Sequence, residues 1–155
     1  MSRAHWNEDH AVALVGVACR PPGGIDGPDA LWQALVDGRD LVGEAPSDRF
    51  DLERFTDREL PRPGEGCTTA GGYPDDLASF DAAHSGISPM EAGQMDPQHR
   101  LLLEPAAEAL DDAGLARESL AGSDTAVFVG ISDNAYGGLR MMDPRGIDAY
   151  MMSGG

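Results

Sequence analysis

Three observations predict an α/β fold for this chain. Residues 11–18, AVALVGVA, form a continuous apolar run of strand length, the pattern of a parallel strand covered on both faces. A loop rich in proline and glycine (CRPPGGIDG) then leads into an amphipathic stretch, and strand, turn and helix in that order build α/β architecture. A second apolar run, TAVFVGI at 125–131, follows a long helical stretch in the same way. At 155 residues the chain has the size of one domain, enough to bury roughly 68–70% of its unfolded surface.

Each element has a local reason. Pro28 suits the first turn of a helix running to about residue 37, with Leu31, Trp32, Leu35 and Val36 on one face and Gly38 at the left-handed cap. From residue 40 to about 72 the periodicity dissolves into proline and alternating charge. A surface excursion is expected there, with helical turns near 51–55 and a short β piece near 68–73. Ser88-Pro89-Met90-Glu91 reads as a capping box with proline at N1, and Asp96-Pro97 repeats the N-cap and proline signal. The helix that starts there should run from 97 to 113 and close on Gly114. Leu101, Leu102, Leu103, Ala106, Ala107, Ala109, Leu110 and Ala113 spread over more than one stripe, which predicts burial on most sides. Pro105 in its middle removes a hydrogen bond and predicts a kink. The tail from 133 to 150 is expected to hold one or two short helices.

The charge excludes several classes of function. Eleven basic residues against 27 acidic ones give −16, and all eleven are arginine. That balance repels nucleic acid and anionic membrane surfaces. Without lysine, a Schiff-base amine and a phosphate-cradling P-loop are both ruled out. No apolar stretch reaches the roughly 18 residues of a membrane span, and MSRAHWNEDH carries no secretory h-region. Cys19 and Cys67 are too few for a disulfide framework and are read as reduced thiols of a cytoplasmic protein.

Candidate catalytic residues are few. Cys19 follows the first run and adjoins Arg20, a neighbour able to lower a thiol pKa, but no histidine is near in sequence. Cys67 lies in the acidic excursion. His99, Arg100 and Glu104 open the long helix without a nucleophile to serve, and Glu104 stands four residues after Arg100, the spacing of a local ion pair. His5, His10, His84 and His99 show no zinc-ligand spacing. GVACRPPGG lacks G-x-G-x-x-G, and its prolines remove donors that a pyrophosphate would need. Catalytic, cofactor-binding and metal-ligating residues are therefore all expected to be absent.

Taken together, VALVGVACRPPGG (12–24), LWQALVDGRD (31–40), PSDRFD (46–51), GGYPDDLASFDAAHSGISPMEA (71–92), MDPQHRLLLE (95–104), EALDDAGL (108–115) and TAVFVGIS (125–132) form a co-linear set. It resembles the N-terminal part of a β-ketoacyl synthase, the ketosynthase of modular polyketide synthases and related fatty-acid enzymes. The resemblance implies an incomplete thiolase-like layered α/β fold over residues 11–155, preceded by an extension at 1–10. It also implies an acyltransferase performing decarboxylative Claisen condensation. That reaction needs a cysteine nucleophile, two histidines and a lysine. In the family the cysteine follows a stretch like Ser153-Gly154-Gly155, so the resemblance stops short of the active centre.

Departures from the family pattern stand at Pro21, Glu65, His84-Ser85 and Pro105-Ala106-Ala107. Where they replace large side chains, each cavity would cost about 3–5 kcal/mol. The expected reading is a ketosynthase fragment without condensing activity of its own, prone to associate through apolar surface. The alternatives are one subunit of a split ketosynthase and a non-catalytic protein docking on a ketosynthase. The expected partners are a complementary ketosynthase half or a full-length ketosynthase, in a possible dimer. Acyl carrier protein is expected only for the complete enzyme, and no cofactor, nucleic acid or membrane is.

Overall fold

The computed structural model describes residues 11–49, 68–132 and 136. Its elements are α1 (Pro28–Val36), β1 (Gly43–Glu44), β2 (Ala70–Gly71), α2 (Pro89–Gln94), α3 (Pro97–Asp112) and α4 (Arg117–Leu120). The turns expected near 51–55 and the helices expected in the tail lie outside the described residues, as do Cys67, Glu65, His5 and His10.

Helix ends follow the local signals closely. Pro28 starts α1 behind an extended Gly27, where its missing N–H costs nothing. At the other end Gly38, at φ 63°, donates to the Leu35 carbonyl (3.2 Å) and Arg39 to that of Ala34 (3.0 Å), the two bonds of a Schellman cap. The same motif closes α3. Gly114, at φ 68°, donates to Asp111, and Leu115 donates to Leu110, both at 2.9 Å. Ser88 Oγ accepts from the Glu91 N–H at 3.2 Å, and Asp96 Oδ1 accepts from the Gln98 N–H at 2.8 Å. α3 continues through Pro105, whose ring leaves the Leu101 carbonyl without its usual helical donor.

The short β piece expected near 68–73 forms as β2, paired antiparallel to β1 with Gly43 opposite Gly71 and Glu44 opposite Ala70. Ala45 extends the ladder by donating to the Thr69 carbonyl (3.1 Å). The Tyr73 hydroxyl also donates to that carbonyl (2.8 Å), and Thr69 Oγ1 donates to Glu44. Arg49 ties this hairpin-like pair to the following turn through the Pro74 and Asp75 carbonyls.

Burial departs from the sequence pattern in three places. Residues 11–18 and 125–131 are not strands in this structure, and the only ladder among the described residues is β1 with β2. A strand needs a neighbour to supply its hydrogen bonds, and neither run finds one among the described residues. On α1, Trp32, Leu35 and Val36 face solvent, while Ala34 is buried. The helix forms as expected, but its broad apolar stripe points away from the described core. Likewise α3 buries no residue completely, and Leu102 and Leu103 are exposed. What is buried among the described residues is small and local: Ile25, Ala34, Ala45, Ala92 and Met95, with Thr69 and Asp96.

Candidate functional site

The end of the 11–18 run crosses the C-terminal half of α3, and the contacts there are made by one stripe of that helix. Glu108 and Asp112 lie four residues apart, as do Ala109 and Ala113, so the four side chains share a face. The two alanines form a low seat for Gly16. A Cβ added at Gly16 would overlap the Ala109 carbonyl oxygen and lie 2.9 Å from Ala113 Cβ. The two acids flank the seat. Asp112 Oδ2 accepts the Val17 N–H at 2.9 Å, and Glu108 pairs with the Arg20 guanidinium. Arg20 also donates to the Cys19 carbonyl (3.1 Å) and to that of Asp26, which folds the 20–26 loop onto the helix. Arg20 and Glu108 are 88 residues apart and Val17 and Asp112 are 95 apart. No local periodicity announces either pair.

Beside this junction lies an open cleft of about 380 Å³ between the 20–26 loop, the 74–79 turn and α3, with Pro21 in its wall. Asp26, Asp75, Asp76 and Glu104 line it, with Arg20 as the one cation and no histidine among the described residues of its wall. The Ser79 hydroxyl and N–H, with the N–H of Ala78, donate to Asp76 and hold its carboxyl below the usual aspartate range, outweighing the small effect of desolvation. Ser79 therefore serves as a donor to the Asp76 carboxylate, whose lowered pKa makes it a weak proton acceptor.

The candidates from the sequence do not converge at this cleft. Cys19 is a half-buried free thiol, and the guanidinium of Arg20 is committed to Glu108 and backbone carbonyls. His84 is exposed on a turn, where its carbonyl accepts from Arg117 at 2.7 Å. His99 sits in the first turn of α3. The local ion pair expected between Arg100 and Glu104 is not formed: the ion pair found among the described residues is Arg20–Glu108. Arginine preceding glutamate is the weaker orientation on a helix. Glu104 instead lines the cleft, and Arg100 Nε is shielded without a partner. No cluster of three potential metal ligands occurs among the described residues.

What the described residues bring together is a junction between the end of the 11–18 run and α3, and the comparisons with known proteins give it a context. Residues 9–155 match the family described as "Beta-ketoacyl synthase, N-terminal domain". The chain belongs to the β-ketoacyl synthases. It is 46% identical over 143 residues to a phenolphthiocerol/phthiocerol polyketide synthase of Mycobacterium tuberculosis, a match covering 92% of this chain and 9% of that protein. It is 43% identical over 145 residues to the 6-methylsalicylic acid synthase of Aspergillus terreus, covering 94% of this chain and 8% of that one. Among solved structures, the oxazolomycin ketosynthase domain of Streptomyces albus superposes with a TM-score of 0.65 at 40% identity. That match covers 70% of this chain and 19% of the domain's chain. A ketosynthase of the bacillaene synthase from Bacillus subtilis gives 0.60 at 34% identity, covering 66% and 17%. The chain thus carries an N-terminal part of the thiolase-like α/β fold. It spans less than a tenth of the polyketide synthases it matches. No helix among the described residues is long and apolar enough to cross a membrane.

The β-ketoacyl synthase frame makes the junction's stability measurable. Arg20 and Glu108 are partly exposed, with side chains 29% and 42% accessible, so their pairing should contribute at most about 1 kcal/mol. A double-mutant cycle of Arg20→Ala and Glu108→Ala should return a coupling of about 0.5–1 kcal/mol by urea denaturation. Arg20→Ala should cost more than Glu108→Ala, because it also releases the Cys19 and Asp26 carbonyls.

Asp76 supplies a pH dependence. Its lowered pKa in the folded state means that the unfolded chain binds the proton first as pH falls. Its stabilisation is thus fully present above the unfolded pKa and is lost as pH drops through the folded one. Carboxyl NMR should find Asp76 titrating below a reference aspartate peptide, and Ser79→Ala should bring it back toward that peptide. A midpoint at or above the peptide value would contradict the assigned bonds.

Proposed function

We propose that this chain is the N-terminal scaffold of a β-ketoacyl-[acyl carrier protein] synthase of polyketide or fatty-acid assembly, and that residues 1–155 perform no condensation alone. In the complete reaction a cysteine thiolate takes the acyl group from a thioester, releasing the carrier thiol. A malonyl-type extender then loses carbon dioxide, and the enolate carbon attacks the enzyme-bound thioester. The β-ketoacyl product leaves on the carrier, and the cysteine thiolate is released. The observation that carries the reading is the family match across residues 9–155, in a sequence that holds no lysine and whose Cys19 has no histidine partner among the described contacts. The nucleophile, histidines and lysine would come from the remainder of a ketosynthase, and acyl carrier protein would be a partner of that complete enzyme only. Residues 11–155 would form the ketosynthase region and residues 1–10 an extension ahead of it.

The test is a graft. Residues 9–155 replace the matching segment of the oxazolomycin ketosynthase domain, and β-ketoacyl product formation is measured. Condensation by the graft, with no acyl-enzyme detected by mass spectrometry on residues 1–155 alone, is the expected result. A folded graft without condensation, or acylation of Cys19, would overturn the reading.

A further inference from the structure

An aspartate followed by glycine is a chemically labile pair, because no Cβ on the glycine blocks attack of its nitrogen on the aspartate side chain. The sequence holds this pair at Asp26-Gly27 and at Asp37-Gly38. Both aspartates are exposed, so access to water does not separate them. Their hydrogen bonds do. At the end of α1 the Gly38 N–H donates to the Leu35 carbonyl (3.2 Å) and the Asp37 N–H to that of Gln33 (2.9 Å). The Asp37 side chain accepts from Gln33 Nε2 at 2.9 Å. Asp37 at ψ −9° also holds the Gly38 nitrogen well away from Cβ, which it must nearly eclipse to close a five-membered ring. Ring closure there has to dismantle the helix cap first. Gly27 is extended instead, at φ 173° and ψ 175°, and its N–H makes no hydrogen bond among the described residues. The Asp26 side chain lines the open cleft, and its backbone carbonyl accepts from the Arg20 guanidinium. A cation on that oxygen favours loss of the Gly27 amide proton, since the charge left behind is shared with the oxygen.

We propose that Asp26 is a site of spontaneous isomerisation to isoaspartate, while its helix cap protects Asp37. The Gly27 nitrogen attacks Asp26 Cγ. An N–Cγ bond forms, and the carboxyl oxygen leaves with the amide proton as water. Water then opens the succinimide in one of two ways. Breaking the N–Cγ bond restores aspartate. Breaking the bond from that nitrogen to the Asp26 backbone carbon gives isoaspartate, with the main chain running through Cβ and Cγ and the former carbonyl now a pendant carboxylate. The carbonyl held by Arg20 is thereby lost and the chain ahead of α1 is one atom longer. Gly27, whose own carbonyl caps the Leu31 N–H at 3.0 Å, is displaced with it, so the change loosens the first turn of α1.

The 155-residue chain is incubated at physiological pH and temperature, and isoaspartate is mapped by electron-transfer fragmentation and by labelling with an isoaspartyl-specific carboxyl methyltransferase. Residue 26 should convert at least about tenfold faster than residue 37, the cost of opening a bonded cap. In concentrated urea the two rates should agree within about threefold, since the bonds that separate them are gone. Gly27→Ala should slow conversion at residue 26 by about tenfold or more while leaving the fold intact, because a Cβ there meets nothing within 4 Å. The Leu31 amide should exchange at least about tenfold faster in the isoaspartyl chain than in the fresh one. Equal folded-state rates at the two aspartates, faster conversion at residue 37, or no isoaspartate at residue 26 would each overturn the site. An unchanged Leu31 amide would overturn its link to α1.

Discussion

Replacing Gly16 by alanine should destabilise the grafted ketosynthase by about 3 kcal/mol, the upper part of the range for overpacking. The added methyl would overlap the Ala109 carbonyl oxygen. That atom is backbone in the middle of a helical turn, so it cannot swing aside as the end of a side chain would. Relief requires the 11–18 run to lift from α3, which also breaks the Val17 to Asp112 bond beside it. Gly130→Ala is the control, since a Cβ there meets nothing within 4 Å. Urea unfolding of the two variants should separate them clearly. If Gly16→Ala matched Gly130→Ala, Ala109 and Ala113 would not form a close-packed seat for residue 16.

Asp96→Ala should cost about 1–2 kcal/mol, more than the corresponding change at Ser88. Both residues cap helices, but their settings differ. Asp96 is 3% exposed and its carboxylate accepts from both the backbone and the side chain of Gln98. Its carbonyl receives the His99 N–H at 3.0 Å and that of Arg100 at 3.3 Å. It therefore supports the first turn of a 16-residue helix, and its charge lies at the positive end of that helix's dipole. Ser88 is exposed and caps six residues. Asp96→Asn should retain most of the stability, because the amide oxygen still accepts. Equal losses for asparagine and alanine, measured by urea unfolding, would show that charge, rather than the accepting oxygen, carries the effect.

These two sites also show where the sequence is readable. Asp96-Pro97, Ser88-Pro89, Gly38 and Gly114 announce their helix ends because a cap is decided by residues within one turn of each other. Arg20 with Glu108 and Gly16 with Ala109 are decided by how two distant segments cross, and neither has a local signature. The apolar runs at 11–18 and 125–131 pose a different problem. Their composition suits them to burial, but supplies no information on which chain segment does the covering. Trp32, Leu35 and Val36 err in the same direction: the stripe is legible and its orientation is not. Arg100 and Glu104 show that correct helical spacing alone does not make an ion pair, since Glu104 turns to the cleft wall. For the candidate site, the junction on α3 has no sequence signal, while the family is legible in co-linear motifs rather than in any single residue.

The hydrogen bond from Val17 to Asp112 has a directional consequence. Amides alternate between the two edges of an extended segment, so Val17 shares its edge with Val15 and Ala13. With the Val17 amide committed to a carboxylate, a ladder formed along that edge would lack a rung at residue 17 and would end at residue 15, whichever segment supplied it. A slip of one residue would turn the apolar side chains to the opposite face.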